Sequence, residues 1–186
     1  MYAATGGDAY RTWWKNSVTK PFFLIRISFA LCLLITATTA AISLKPYLLK
    51  EAGFQFEVPE GWTIKASDKD GVNQHILTSN DEAITVVFVV ADDPAMAEKL
   101  WDTFREGLDD EMKTVKAKGQ KENKHNGMEH LNESGTADSN GKPMNWSLDI
   151  FVAEKPVVAF GAMDAKTAKK NAEIYGKFLQ SMKRIS

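Results

Sequence analysis

The sequence predicts an α+β domain in which helices pack against a mainly antiparallel sheet, preceded by one N-terminal hydrophobic helix. Several segments alternate apolar and polar residues with the period of a strand, and two others carry apolar residues at helical spacing. The links between the predicted strands are short enough for hairpins, so the strands should run mainly antiparallel. The predicted order is strands, one helix, several strands and a closing helix.

The first strands follow from alternation and turn chemistry. Residues 54–58 alternate apolar and polar side chains, and Pro59 and Gly61 then turn the chain. The run over 83–91 is β-branched and apolar on both faces, which predicts a central strand covered on both sides. Two shorter strands are predicted at 62–65 and 74–79.

The first helix of the domain is predicted to begin at Asp92-Asp93-Pro94. Acidic residues cap helix N-termini, and proline suits the first helical position. The apolar residues that follow form a single stripe, which predicts packing on the sheet. The stripe consists of Ala97, Leu100, Trp101, Phe104, Leu108 and Met112.

The second half of the domain is predicted to return to strands and to close with a helix. The clearest strand covers 144–152, and the sequence SNGK at 139–142 forms a hairpin turn before it. Asp164 is predicted to cap the closing helix, and Lys183 and Arg184 suit its C-terminal dipole. Weaker strands are predicted at 113–118, 127–137 and 157–163, with a polar loop at 119–126. The closing helix has the apolar stripe Ala168, Ala172, Tyr175, Phe178, Leu179 and Met182.

The N-terminal segment has the pattern of an export signal. Residues 1–20 are predicted to form a cytoplasmic or disordered leader, and residues 21–44 a signal peptide or a membrane anchor. Residues 27–44 carry no charge, and small residues before Ala41 fit a cleavage site, so both alternatives stay open. Basic residues precede the apolar run, which places the predicted domain, 50–184, outside the cytoplasm in either case.

Charge and cysteine content exclude several classes of protein. Residues 1–41 carry a net charge of +3 and the remainder −4, so the domain lacks the basic character of a nucleic-acid-binding protein. Cys32 is the only cysteine, which rules out an intrachain disulfide and a cysteine-based metal site. Lipidation at Cys32 is disfavoured as well, because Leu31 before it is not small.

Histidines are the first candidate chemical groups. His125 and His130, with Glu129 and Glu133 nearby, could supply metal ligands, and the third histidine is His75. The spacing matches no standard metal motif, and residues five apart on an extended chain point to opposite faces. We therefore interpret these histidines as surface residues.

Acidic and aromatic clusters are also better explained by structure than by chemistry. Adjacent carboxylates rarely face each other across a cleft, as acid–base catalysis requires. The pair at 92–93 is explained by capping, and the cluster at 109–111 by solvent exposure or a partner-facing patch. The acidic clusters are Asp81-Glu82, Asp92-Asp93 and Asp109-Asp110-Glu111. The aromatic residues that could line an apolar ligand pocket, but whose core-facing positions favour ordinary packing, are Trp101, Phe104, Trp146 and Phe160.

The start of the domain resembles the PsbP-like superfamily. Its pattern is F-x-F-x-V-P-x-G-W over Phe54 to Trp62, and the element order over about 50–184 is similar as well. The superfamily includes the photosystem II extrinsic subunit, DcrB-like bacterial envelope proteins and a regulator of the Ran GTPase. The resemblance implies an α/β/α sandwich around an antiparallel sheet. It also implies a non-enzymatic role in docking onto partner proteins.

The sequence therefore predicts an exported bacterial envelope protein, in the periplasm or on the extracytoplasmic face of the inner membrane. It would be a non-catalytic interaction module for an envelope or membrane protein, held at the membrane by its N-terminal segment if that segment is uncut. The alternative is a carrier of a small apolar ligand or lipid. No catalytic, cofactor-binding or metal-binding residue and no nucleic-acid partner is predicted, because no matching motif is present.

Overall fold

A computed structural model describes residues 44–69 and 72–185 of the protein. The predicted leader and the predicted signal or anchor up to residue 43 lie outside the described residues, so the N-terminal helix stays a prediction. Neither helix in these ranges is long and apolar enough to cross a membrane. The elements are β1 Leu44–Leu49, a 3-10 turn Lys50–Ala52, β2 Phe54–Pro59, β3 Thr63–Lys69, β4 Val72–Thr78, β5 Ile84–Val90, α1 Pro94–Glu111, β6 Lys113–His125, β7 Met128–Ser139, β8 Lys142–Val152, β9 Pro156–Asp164, α2 Ala168–Ser181 and β10 Lys183–Arg184.

The main sheet has seven strands in the order β3-β4-β5-β9-β8-β7-β6, and every neighbouring pair is antiparallel. Helix α1 covers one face of this sheet. Helix α2 and a small antiparallel sheet, in the order β1-β2-β10, cover the other face. The predicted α+β class and the α/β/α sandwich are both confirmed. Strand β5 is a central strand with apolar neighbours on both faces, also as predicted.

The α1 face is built by the predicted stripe of α1. Asp93 caps the helix as expected, because its carboxylate accepts a hydrogen bond from the Met96 backbone N–H at 2.8 Å. Phe104 stacks on Phe160 of β9 with ring centroids 5.7 Å apart. All four aromatic residues considered for a ligand pocket are buried in this core, so their interpretation as packing residues is confirmed.

The α2 face is an aromatic cluster. Phe56 of β2 lies over Phe88 of β5 with ring centroids 4.6 Å apart, and Phe178 of α2 meets Phe56 edge-on at 5.7 Å. Phe54 and Phe151 extend the cluster across the sheet with centroids 5.5 Å apart. The first predicted strand is therefore a core strand, because its phenylalanines bring the small sheet onto the main one.

The predicted polar loop at 119–126 is wrong. Strand β6 continues to His125, and the turn to β7 consists only of Asn126 and Gly127. These residues have positive φ angles of 48° and 79°, which suits an Asn-Gly hairpin turn. The strand was missed because β6 is the exposed edge of the sheet, where polar residues occupy both faces and no alternation develops.

Both ends of the domain differ from the prediction. The folded domain includes β1 from Leu44, ahead of the predicted start at residue 50, and β10 pairs with β2 after the closing helix. Asp164 does not cap α2: its carboxylate accepts from the Lys166 N–H in the preceding turn. In the predicted stripe of α2, Ala172 is exposed, and the neighbouring Asn171 is buried instead.

Candidate functional site

A groove of about 280 Å³ lies between the first turns of α1 and the neighbouring ends of β6, β7 and β8. It remains open because the α1 stripe offers only the small Ala97 at this level, while the larger Leu100 and Trp101 lie further along the helix. Its floor is apolar, and Val152 remains 39% exposed there. The lining residues are Pro94, Ala97, Glu98, Glu122, Asn123, Glu129, His130, Leu131, Ile150, Val152 and Pro156.

Three carboxylates surround this apolar floor, and we call them the acidic rim: Glu98 of α1, Glu122 of β6 and Glu129 of β7. All three residues are exposed. Lys124 Nζ lies 3.3 Å from Glu129 Oε1, so these four side chains carry a net charge of −2 at neutral pH. An apolar floor within an acidic rim favours an apolar group that carries positive charge beside it.

His130 lies beneath the groove, but its side chain points to the α2 face of the sheet, where it belongs to a closed polar network. Its Nε2 is 2.8 Å from Asp149 Oδ1, and its Nδ1 is 2.8 Å from the side-chain oxygen of Asn123. The His130 side chain is only 11% exposed, and its ring stacks on Phe151 at 4.4 Å. The interpretation of His130 as a surface residue is wrong. Both ring nitrogens are engaged on the α2 face, so the ring connects β6, β7 and β8 there and does not enter the groove.

His125 lies on the same face of the sheet as His130, with ring centroids 5.6 Å apart. The expectation that the two point to opposite faces is wrong, because the turn at Asn126 and Gly127 reverses the chain between them. His125 Nε2 lies 2.9 Å from the Leu179 carbonyl oxygen near the end of α2. In the part of the chain that the structure describes, no three His, Cys, Asp or Glu side chains come together as metal ligands.

The remaining candidates lie apart from the groove. Glu133, which is 7% exposed, pairs with Arg105 of α1 through an Nε–Oε2 distance of 3.0 Å. The acidic cluster at 109–111 lies at the C-terminal end of α1, and Asp109 is 3.7 Å from the Arg105 guanidinium. Glu133 is thus a structural partner, and the acidic cluster faces outward from the helix end.

His75 and Tyr175 are two half-buried titratable groups on the α2 face. Burial lowers the pKa of His75, whose Nδ1 is 3.0 Å from the Tyr47 hydroxyl. Burial also raises the pKa of Tyr175 to about 12, and the Asp149 carboxylate adds to this rise. The Tyr175 hydroxyl hydrogen-bonds with Ser147 and lies over Gly161, where a Cβ atom would come within 2.9 Å of it. Both groups stabilise packing around the α2 layer.

The groove was not predicted from the sequence. The alternation typical of core residues includes Leu131, Ile150 and Val152. This pattern does not distinguish apolar residues that α1 covers from apolar residues that it leaves exposed. The signal that the sequence did contain is the proline at the start of α1, because it fixes where the helix begins.

A seven-stranded antiparallel sheet between α1 on one face and α2 with a small sheet on the other is the PsbP-like fold. The structure is similar to the solution structure of cyanobacterial PsbP (CyanoP) from Synechocystis sp. PCC 6803, with a TM-score of 0.58 and 9% identity. The similarity covers 82% of this chain and 98% of CyanoP. At this identity it establishes the fold alone.

Two further solved structures are more distant. One is LpqN of Mycobacterium tuberculosis, described as involved in cell envelope biogenesis, with a TM-score of 0.49, 13% identity and coverage of 76% of this chain and 90% of LpqN. The other is PA94 of Pseudomonas aeruginosa, a protein of unknown function described as a regulator, with a TM-score of 0.44, 13% identity and coverage of 74% and 94%. These TM-scores are too low to carry an argument. No protein-family model and no curated protein sequence matches the chain.

Proposed function

We propose that this protein is a non-catalytic interaction module of the bacterial envelope, and that a partner protein docks in the groove between α1 and the β6–β8 strands. Export through residues 21–44 would place it in the periplasm or on the extracytoplasmic face of the inner membrane. The observation that carries the proposal is the apolar groove within the acidic rim.

The chemistry of the groove defines the partner that suits it best. Val152 and the half-buried Leu131 and Ile150 would bury a large apolar side chain, which is the usual anchor of a protein interface. Basic residues on either side of that anchor would meet the net negative charge of the acidic rim. The partner is therefore a protein segment in which Lys or Arg flanks an apolar residue.

A small apolar ligand is the second candidate, because the floor of the groove is apolar. The volume of about 280 Å³ is just below the range of roughly 300–1,000 Å³ typical of small-ligand sites. The acidic rim would also repel the anionic headgroup of many lipids. Native mass spectrometry of the full chain from membrane extracts separates the two, since a carrier retains a bound small molecule.

Photocrosslinking from inside the groove tests the proposal. A benzophenone amino acid at Val152 of the full chain, activated in intact cells, should give one discrete protein adduct. The matched control is the same amino acid at Leu48 of β1, which is 43% exposed against 39% for Val152 and lies in the α2 layer. Adducts of equal yield from both positions, or none from Val152, would overturn the proposal.

Charge reversal tests the character of the partner. Glu98→Lys in the acidic rim should reduce the yield of the Val152 adduct by about tenfold. The substitution replaces an attraction to the basic residues of the partner by a repulsion. Glu60→Lys, at an exposed glutamate in the turn after β2, makes the same change of charge away from the groove. Equal loss in both variants would point to net charge rather than to the acidic rim.

A further inference from the structure

We propose that the partner docks by adding an extended strand to the free edge of β6, along residues 120–125, so that one of its apolar side chains enters the groove. This inference rests on the proposed function and adds the mode of binding to it. Strand addition has two components: main-chain hydrogen bonds along the edge of the sheet, and side-chain pockets on one face of the sheet. Both components are present at this edge.

The first step concerns the regularity of β6. It is the last strand of the main sheet, with β7 on one side only. Its register shifts twice, between Lys113 and Lys116 and between Ala117 and Gln120, and then runs without interruption from Gln120 opposite Glu133 to His125 opposite Met128. Bulges protect a sheet edge against pairing. Residues 120–125 are therefore the straight part of this edge.

The second step concerns where the backbone groups point. Asn126 and Gly127 form a two-residue hairpin turn with positive φ at both positions, and the residues that flank such a turn form a hydrogen-bonded pair. Hydrogen-bonded and non-hydrogen-bonded pairs alternate from His125 onward. The N–H and C=O groups of Lys124, Glu122 and Gln120 therefore point away from β7, toward the free edge.

The third step connects this edge to the groove. Glu122 and Asn123 of β6 line the groove, so its floor extends to the last strand of the sheet. A strand added beside β6 would lie about 4.8 Å beyond β6 and about 10 Å from β7, so a long apolar side chain passing over β6 would meet Leu131 at the outer edge of the floor. A basic residue of that strand opposite Glu122 would have its Cβ atom about 5 Å from that of Glu122.

The hairpin that carries this edge is also held in place. The Asn126 side-chain amide donates to the carbonyl oxygens of Gln180 and Met182, both at 2.8 Å. His125 adds its contact with Leu179. These contacts fix the tip of the β6–β7 hairpin on the end of α2, so a binding segment meets an edge that is already ordered.

A pair of substitutions at one residue separates backbone pairing from charge. Glu122→Pro removes an N–H that faces the free edge and leaves the hydrogen bonds to β7, while Glu122→Gln removes only the charge. With the Val152 crosslink in the full chain as the readout, we expect Glu122→Pro to reduce the adduct by about tenfold or more. Glu122→Gln should reduce it no more than about threefold.

The outcomes separate the two proposals. A Val152 adduct that survives Glu122→Pro in a folded variant overturns strand addition and leaves groove docking in place, while the absence of any adduct in the parent chain overturns the proposed function. If Glu122→Pro does not fold, hydrogen exchange of the parent chain bound to the captured partner decides. Strand addition slows exchange at Gln120, Glu122 and Lys124, and unchanged exchange there overturns it.

Discussion

The two faces of the main sheet are covered in different ways. On the α2 face, the helix and the small sheet together enclose the phenylalanine cluster around Phe56. On the α1 face, a single helix starts at Pro94 and leaves the ends of β7 and β8 open as the groove. The α2 face is thus covered by a helix and a small sheet, while the α1 face is covered by one helix and keeps a groove open.

The difference shows how one sheet can have one closed face and one partly open face. Both faces bury large aromatic rings, with five phenylalanines on the α2 face and two phenylalanines and two tryptophans on the α1 face, and apolar surface stays uncovered near the start of α1. That surface is bordered by the acidic rim, and the proposed function assigns it to a partner. The following predictions test this division, from the largest expected effect to the smallest.

Truncation of Phe56 should have the largest effect. Phe56→Ala removes a fully buried ring that contacts four other aromatic rings of the α2 face, so we expect a loss of about 3–5 kcal/mol in the free energy of unfolding. Leu131→Ala at the half-buried groove floor should cost about 1 kcal/mol. Urea unfolding measures both losses in free energy. A larger loss for Leu131→Ala than for Phe56→Ala would show that the groove side, rather than the α2 face, contributes more to stability.

Loss of the ion pair beneath α1 should have an intermediate effect. Arg105→Met leaves the buried Glu133 carboxylate without its partner and removes the guanidinium from the face of Trp146, 5.3 Å away. We expect a loss of about 1.5–3 kcal/mol in the free energy of unfolding. Adding Glu133→Gln to this variant should recover part of the loss in urea unfolding, since it removes the unpaired charge. No recovery would show that packing against Trp146, rather than charge, is responsible.

Tyr175→Phe should have the smallest effect near neutral pH, about 1 kcal/mol, because it removes one hydrogen bond with Ser147. The variant also tests the pH dependence. The pKa of Tyr175 is raised from 10.0 to about 12 in the folded protein, so the unfolded chain loses this proton first. The contribution is complete below pH 10 and is lost as the pH rises toward about 12.

Urea unfolding at a series of pH values from 8 to about 11 measures this dependence. The parent chain should lose stability above pH 10 more steeply than Tyr175→Phe. Tyr47, whose pKa burial also raises, remains in both chains and supplies a common background. Parallel pH profiles would show that the Tyr175 hydroxyl does not titrate differently in the folded and unfolded states.

The sequence predicted those elements whose signals are local. Asp93 and Pro94 marked the start of α1 through capping chemistry, and the alternation in β8 matched its buried face. Strand β1 was missed because Pro46 and the preceding apolar run obscured it, although proline is tolerated in a strand at a sheet edge. The groove depends on where a helix begins above strands distant in sequence, which no local pattern records.

The two histidines illustrate a signal that was present but was not used. Asn126-Gly127 is a strong hairpin turn, and recognising it would have placed His125 and His130 on one face. The contact of His130 with Asp149, by contrast, joins β7 to β8 across nineteen positions of sequence and follows only from their register.

The position of Leu44, the first described residue of the domain, bears on how the domain would be oriented at a membrane. Leu44 of β1 pairs with Pro59 at one end of β2. The other end of β2 lies near the groove, since Phe54 contacts Phe151, which is next to Val152 in β8. The two ends of β2 are about 17 Å apart. If residues before Leu44 tether the protein to a membrane, the groove lies at the distal end of the domain, facing the aqueous compartment.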